Sequence, residues 1–249
     1  MKLDQVIAER THKTIYRDGD KAIKMFDESF PKADILNEAL NMARIEETGL
    51  KVPRLREVGV IDGQWAIVSD FIEGETMASL VRKYPERHEE LMERFVDIQL
   101  EIQSHTCKML NALTEKMQHK ISESALDATA RYELHTRLAA MPVHKKVCHG
   151  DFRPSNIIIT PEDEAYVIDW SHVTQGNASA DAARTYLLFY LYGEKKSAEQ
   201  YLSLFCKKSD TARQYVQKWI PIVAASQSVK GKQEEREFLL RWANVVEYE

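Results

Sequence analysis

Hydrophobic and polar positions change their spacing twice along the chain, and each change marks a different kind of structure. In the first quarter the apolar runs are short. "TIYR" and "KAIKMF" flank Asp18-Gly19-Asp20, and an Asp-Gly step between two such runs predicts a hairpin. Ile35, Leu36, Ala39, Leu40 and Ala43 then recur at helical spacing, with Pro31 before them and Gly49 after. That asymmetry predicts one helix. "LREVGVIDGQWAIVSDFI" reads as two strands joined by a turn at Asp62-Gly63. From Gly74 the texture becomes charged and helical, to about residue 140, with Leu91, Phe95, Ile98 and Ile102 along one face. A hairpin is expected over 147–169. Beyond Asp181 four more helices are expected, beginning with "DAARTYLLFYLYG". The fold class is therefore α+β: a β-rich N-terminal lobe with one helix over 1–73, and a larger, mainly helical lobe over 74–249.

Composition narrows the setting. With 249 residues and 44% hydrophobic content the chain can bury a substantial core. A net charge of −5 gives no electrostatic footprint for nucleic acid. The start, "MKLDQVIAER", lacks the apolar stretch of a signal peptide, and runs such as "TYLLFYLYG" are too short to span a bilayer. Three widely spaced cysteines, Cys107, Cys148 and Cys206, fit reduced thiols better than a disulfide framework or zinc site. A cytoplasmic location without membrane partners is the expectation.

The chemistry concentrates in "CHGDFRPSN", which runs into "IIIT" and then "AYVIDW". Asp151 and Asn156 share one loop, and the next apolar run ends on Asp169. Each alone would be the commonplace polar residue of a turn. Together they supply what phosphoryl transfer needs: an acceptor for the attacking hydroxyl and hard oxygen ligands for magnesium on the phosphates. The spacing matches the H-x-D-x-x-x-x-N catalytic loop with its downstream acid.

"HGDFRPSN", "VIDW" and "DAAR" resemble the aminoglycoside phosphotransferase and choline kinase superfamily, whose members have a protein-kinase-like two-lobe fold. The resemblance extends to "AIK" at 22–24, "NEALNMARIEETGLKVPRL" at 37–55 and "FIEGETM" at 71–77. It implies Asp151 as catalytic base, with Asn156 and Asp169 as magnesium ligands. Lys24 would contact the ATP phosphates and Glu38 would pair with it, although Lys21 stands close by and Glu28, Glu46 and Glu47 are competing acids. Asp70, Phe71 and Ile72 would line the adenine through their backbone. His149, Asp181 and Arg184 would brace the catalytic loop.

Two features depart from the kinase pattern. "AERTHKT", where a phosphate-covering loop belongs, has no G-x-G-x-x-G, leaving Arg10, Thr11, His12 and Lys13 as its donors, and "DWS" stands in place of D-F-G. Only eleven residues separate Asp169 from Asp181, too few for a peptide-docking platform and in favour of a small-molecule hydroxyl acceptor. An amine-bearing, cationic acceptor is the family expectation, for which Asp181, Glu247 and Glu249 are candidate acidic walls. The alternatives are a choline-, ethanolamine- or amino-sugar-type kinase and a silent nucleotide-binding scaffold.

Overall fold

The computed structural model describes residue 3 and residues 5–243; Glu247 and Glu249 lie outside them. In chain order the elements begin with β1 (Gln5–Arg10), β2 (Lys13–Asp18), β3 (Lys21–Phe26), α1 (Lys32–Glu46), β4 (Leu55–Ile61) and β5 (Gln64–Asp70). Next come β6 (Glu75–Thr76), α2 (Met77–Lys83), α3 (His88–Ser104), α4 (Leu113–Glu123), α5 (Ala128–Ala140) and β7 (Lys146–Cys148). The chain continues through β8 (Ile157–Ile159), β9 (Ala165–Val167), β10 (Thr174–Gly176), α6 (Ala178–Leu191), α7 (Lys195–Ser209), α8 (Arg213–Gln227) and α9 (Gln233–Ala243). By packing these form two units, Met1–Pro85 with Pro154–His172, and Glu86–Arg153 with Val173–Glu249.

The first unit is built on an antiparallel sheet in the order β1-β2-β3-β5-β4. Its expected hairpin turns are present: Gly19 and Asp62-Gly63 adopt positive φ, the backbone that such turns demand. Period-two alternation gives the sheet two apolar faces. Ile23, Met25, Ala66 and Val68 pack together on one; Phe26 and Ile67 on the other meet Ile35 and Ala39 of α1. Leu36 and Leu40, also in the periodic helical set, remain exposed. The strand β1 was not expected. Five of its six residues are exposed or nearly so, and an edge strand so little buried carries no hydrophobic alternation.

The expected single hairpin over 147–169 is corrected. β7 pairs antiparallel with β10, whereas β8 pairs with β9 and, on its other edge, with β6. Strands of three residues are too short to show a period, so their partners could not be read from sequence. The lobe boundary shifts for the same reason. α2 and the β8–β9 hairpin go with the sheet unit, and the division falls inside the loop at 149–156, between Arg153 and Pro154. Gly74 explains part of this arrangement. A Cβ there would lie 2.3 Å from the carbonyl oxygen of Ile159, so only glycine lets the chain pass β8 so closely.

The second unit is helical around an aromatic core. Phe95 of α3 stacks on Phe152 of the loop at 149–156 at 4.4 Å and meets Phe189 of α6 and Tyr201 of α7 edge-on. Complete burial of Phe152, worth roughly 1.5–3 kcal/mol for a side chain of this size, pins the loop to the core.

Candidate active site

Within the first unit, strand alternation decides where Lys24 points. Ile23 and Met25 take one face of β3, so Lys24 shares the other with Phe26, opposite Ile67 on β5 and under α1. The buried stripe of α1 carries Glu38 between Ile35 and Ala39. Lys24 Nζ donates to Glu38 Oε1 and stands 3.4 Å from Asp169 Oδ1. Burial opposes the lysine's charge, yet Asp169 and Glu38 outweigh it and hold Lys24 well above the ordinary lysine value. Of the competing acids, Glu46 instead accepts the N–H of Leu55.

Asp169 sits at φ +65°. The other non-glycine residues of positive φ have local reasons: Asp62 and Asp163 turn hairpins and Asp210 ends α7. Asp169 does none of these. A left-handed aspartate costs about 1–2 kcal/mol, and strain of this kind clusters at functional positions. The surroundings enforce it. Trp170, 2% exposed, donates Nε1–H to Val167 O at 2.9 Å, and the turn Trp170–His172 packs against α1. Ser171 donates to Asp169 Oδ1 at 3.2 Å. Across the hairpin, the N–H of Ile168 donates to the carbonyl of Asn156, whose side chain is buried.

Hard oxygens from Asn156 and Asp169 fit magnesium, which keeps several waters and relies on one or two protein groups plus substrate phosphates. Among the described residues no cluster of three or more His, Cys, Asp or Glu is placed to hold a metal.

The glycine-free turn brings a second lysine to Glu38. Lys13, at the start of β2, lies 3.9 Å from Glu38 Oε2 and over the rings of Phe26 and Phe30 at 5.9 and 5.6 Å. Burial, then the charge of Lys24, pulls its pKa below the lysine norm. His12 pairs instead with Asp27 at 2.9 Å, and Arg10 donates to the carbonyl of Glu9.

Backbone hydrogen bonds limit what Asp70 and Phe71 could offer an adenine. The N–H of Asp70 donates to Arg54 O and that of Phe71 to Asp20 O, at 3.0 and 2.8 Å. The Asp70 carboxylate is clamped by Arg54 and Arg56 at 2.8 and 2.6 Å. Contact through these two residues would use their carbonyls, and Ile72 follows directly. Arg17 covers the ring of Phe71 at 4.0 Å.

Within the second unit, Asp151 is largely buried and lies 3.2 Å from Arg153 Nε, whose guanidinium also donates to the hydroxyl of Tyr192. The N–H of Asp151 donates to His149 Nδ1 at 3.2 Å, and His149 is fully buried. Asp181 is no pocket wall. Its buried carboxylate accepts the N–H of Gly150 at 2.8 Å and the amides of Gln99 and Gln103 at 3.2 and 3.1 Å. Thr185 donates to the carbonyl of Phe152, and Tyr201 donates to Gln99. Gln99, Gln103, Thr185 and Tyr201 thus anchor the loop, which the sequence did not reveal because nothing distinguishes them from ordinary helix residues. Arg184 behaves unlike Asp181: its Nε and Nη1 are buried without a hydrogen-bond partner among the described residues.

The model of the phosphotransferase enzyme family matches residues 5–215. The chain belongs to this family. No protein of curated function matches it in sequence. Among solved structures it is similar to the choline kinase LicA from Streptococcus pneumoniae, with 17% identity, a TM-score of 0.64, and 98% of this chain and 92% of that one covered. It is also similar to the aminoglycoside phosphotransferase APH(4)-Ia, with 13% identity, a TM-score of 0.70, and coverages of 96% and 91%. These likenesses establish the kinase-like fold.

Proposed function

We propose that Asp151 is the general base of the reaction and that Lys24, Glu38, Asn156 and Asp169 serve magnesium and the phosphates of ATP. The reaction class, ATP-dependent transfer to an alcohol group of a small molecule, follows from membership of the family. The observation that carries the residue assignment is the buried ammonium of Lys24 held between Glu38 and a left-handed Asp169. A silent scaffold has no need for a strained acid beside a buried cation.

The acceptor's oxygen forms a bond to the γ-phosphorus as the bond to the β–γ bridging oxygen breaks. The hydroxyl proton passes to the Asp151 carboxylate, and ADP leaves. Arg153 at 3.2 Å and the His149 contact to its backbone fix the direction of Asp151. Lys24 aims its charge at phosphate oxygens because Glu38 fixes one of its three donors. Magnesium, when bound, neutralises charge on those oxygens, with Asn156 and Asp169 as its protein ligands.

The interval between Asp169 and Asp181 supports a small acceptor, since it is taken up by the Trp170–His172 turn, β10 and the start of α6. Related folds have been solved with small ligands: APH(4)-Ia as a ternary complex with AMP-PNP and hygromycin B, and LicA with AMP. ADP release from Mg·ATP across amino alcohols, sugars, sugar acids, sugar phosphates and aminoglycosides tests the reading. Turnover with at least one compound, lost in Asp151→Ala, is expected; label transfer only to protein substrates would overturn it.

A further inference from the structure

Strand pairing limits what the first turn of the sheet can do for a nucleotide. Arg10 of β1 pairs directly with Lys13 of β2, so Thr11 and His12 are the whole turn between them. A glycine-rich loop covers phosphates with its backbone, and a two-residue turn without glycine leaves no such cover. The turn is also pinned. The carbonyl of His12 accepts the N–H of Asp27 at 3.1 Å, and His12 Nδ1 lies 2.9 Å from Asp27 Oδ2. Ser29 donates its hydroxyl to the other carboxylate oxygen of Asp27 at 2.6 Å.

Donors for phosphate must then come from side chains, and the candidates are not equivalent. Arg10 is turned to the carbonyl of Glu9, and His12 is held by Asp27. Lys13 differs because of its register. It stands opposite Phe26, while Ile15 stands opposite Lys24. Cross-strand partners share a face, as do residues two apart, so Lys13, Lys24 and Phe26 all lie on the face that meets α1. There Glu38 takes Lys24 on Oε1 and has Lys13 at 3.9 Å from Oε2. The rings of Phe26 and Phe30 lie under the Lys13 ammonium, a contact that favours its charge. With Asp169 at 3.4 Å from Lys24, two ammonium groups and two carboxylates are linked in one chain.

We propose that Lys13 is a second phosphate-binding lysine, that Glu38 holds Lys13 and Lys24 as the two arms of one clamp, and that this clamp takes the place of a glycine-rich loop. The proposal rests on the reading of Lys24 and Asp169 as the nucleotide site. When Asp169 serves a metal, one carboxylate is left for two ammonium groups, and a chain of phosphates supplies the missing negative charge. A lysine present only to neutralise Glu38 would not distinguish a nucleoside from its phosphates.

Isothermal titration of adenosine, AMP, ADP and ATP, each with magnesium, into the wild type and Lys13→Met tests it; methionine keeps an apolar stem over Phe26 and Phe30. ATP should bind about tenfold more weakly to the variant, AMP should lose less, and adenosine should bind both alike. Lys13→Arg should recover most of the loss. Equal ATP affinity in wild type and Lys13→Met, or equal losses for adenosine and ATP, overturns the proposal and leaves the nucleotide reading of Lys24 standing. A wild type that binds no Mg·ATP overturns both. Should Lys13→Met fail to fold, the wild type itself decides: limited acetylation read by mass spectrometry should mark Lys13. Mg·ATP at about ten times its dissociation constant should slow that acetylation about tenfold, and saturating adenosine should not. Absence of this protection sinks the proposal.

Discussion

Lys24 in the sheet unit and two lysines in the helical unit respond to burial in opposite directions. In the sheet unit Lys24 has two carboxylates, Glu38 and Asp169, and its charge is stabilised above that of a free lysine. In the helical unit Lys116 and Lys120 are half-buried four residues apart on α4, and burial first, then neighbouring cations, lowers both. The difference teaches that neighbouring charge decides what burial does to a lysine. A lysine held by two carboxylates keeps its charge and its direction. A half-buried lysine beside other cations gives up its proton more readily.

The largest effect should come from Asp151, the proposed base. Asp151→Ala is expected to lower kcat by about 10²–10⁴-fold, the usual worth of a positioned base, while binding ATP as the wild type does; steady-state rates and nucleotide titrations check both halves. Next, Glu38→Ala breaks the compensated group and leaves Lys24 poorly paired. Denaturant unfolding should show a loss of roughly 3–5 kcal/mol, the range for one partner removed from a buried pair. A loss under about 1 kcal/mol would mean that the pair is solvated and the contrast with the α4 lysines false.

The α4 lysines should respond with the other sign. Lys120→Met removes one of two like charges four apart on α4 and should raise stability by about 0.5 kcal/mol, read from the midpoint of urea unfolding. Its pH dependence sharpens the point. In the folded state Lys116 and Lys120 lose their protons near 8 and 7, whereas unfolded lysines hold them to 10.5. Between those values the unfolded chain binds more protons, so wild-type stability rises with pH from about 7 towards 10. Lys120→Met should flatten that rise, and a wild-type melting temperature that falls over this window would contradict the shifts.

Much of this was legible in the sequence because catalytic chemistry needs several residue types crowded at fixed spacing. Asp151, Asn156 and Asp169 stood out as a set, and the Asp-Gly turns fixed both N-terminal hairpins. The β7–β10 and β6–β8–β9 pairings were not legible, since two or three residues cannot display a period. Hinge donors were hidden as well, because side chains say nothing of which backbone N–H groups are already spent. Arg184 was visible in "DAAR" but read as a brace. Only packing shows that Asp181 takes that task, while Arg184 Nε and Nη1 are buried without an acceptor among the described residues.

Isothermal titration of Mg·ATP into the wild type, Asp169→Asn and Asp151→Asn tests the division of labour most directly. The account predicts that Asp151→Asn binds Mg·ATP like the wild type but does not turn over. Asp169→Asn should bind at least about tenfold more weakly, and most of that difference should vanish when magnesium is replaced by EDTA. At ATP near a hundred times its dissociation constant, the wild type should also gain about 2.7 kcal/mol of stability that Asp169→Asn lacks. Equal magnesium-dependent binding by the wild type and Asp169→Asn, or full turnover by Asp151→Asn, would contradict it.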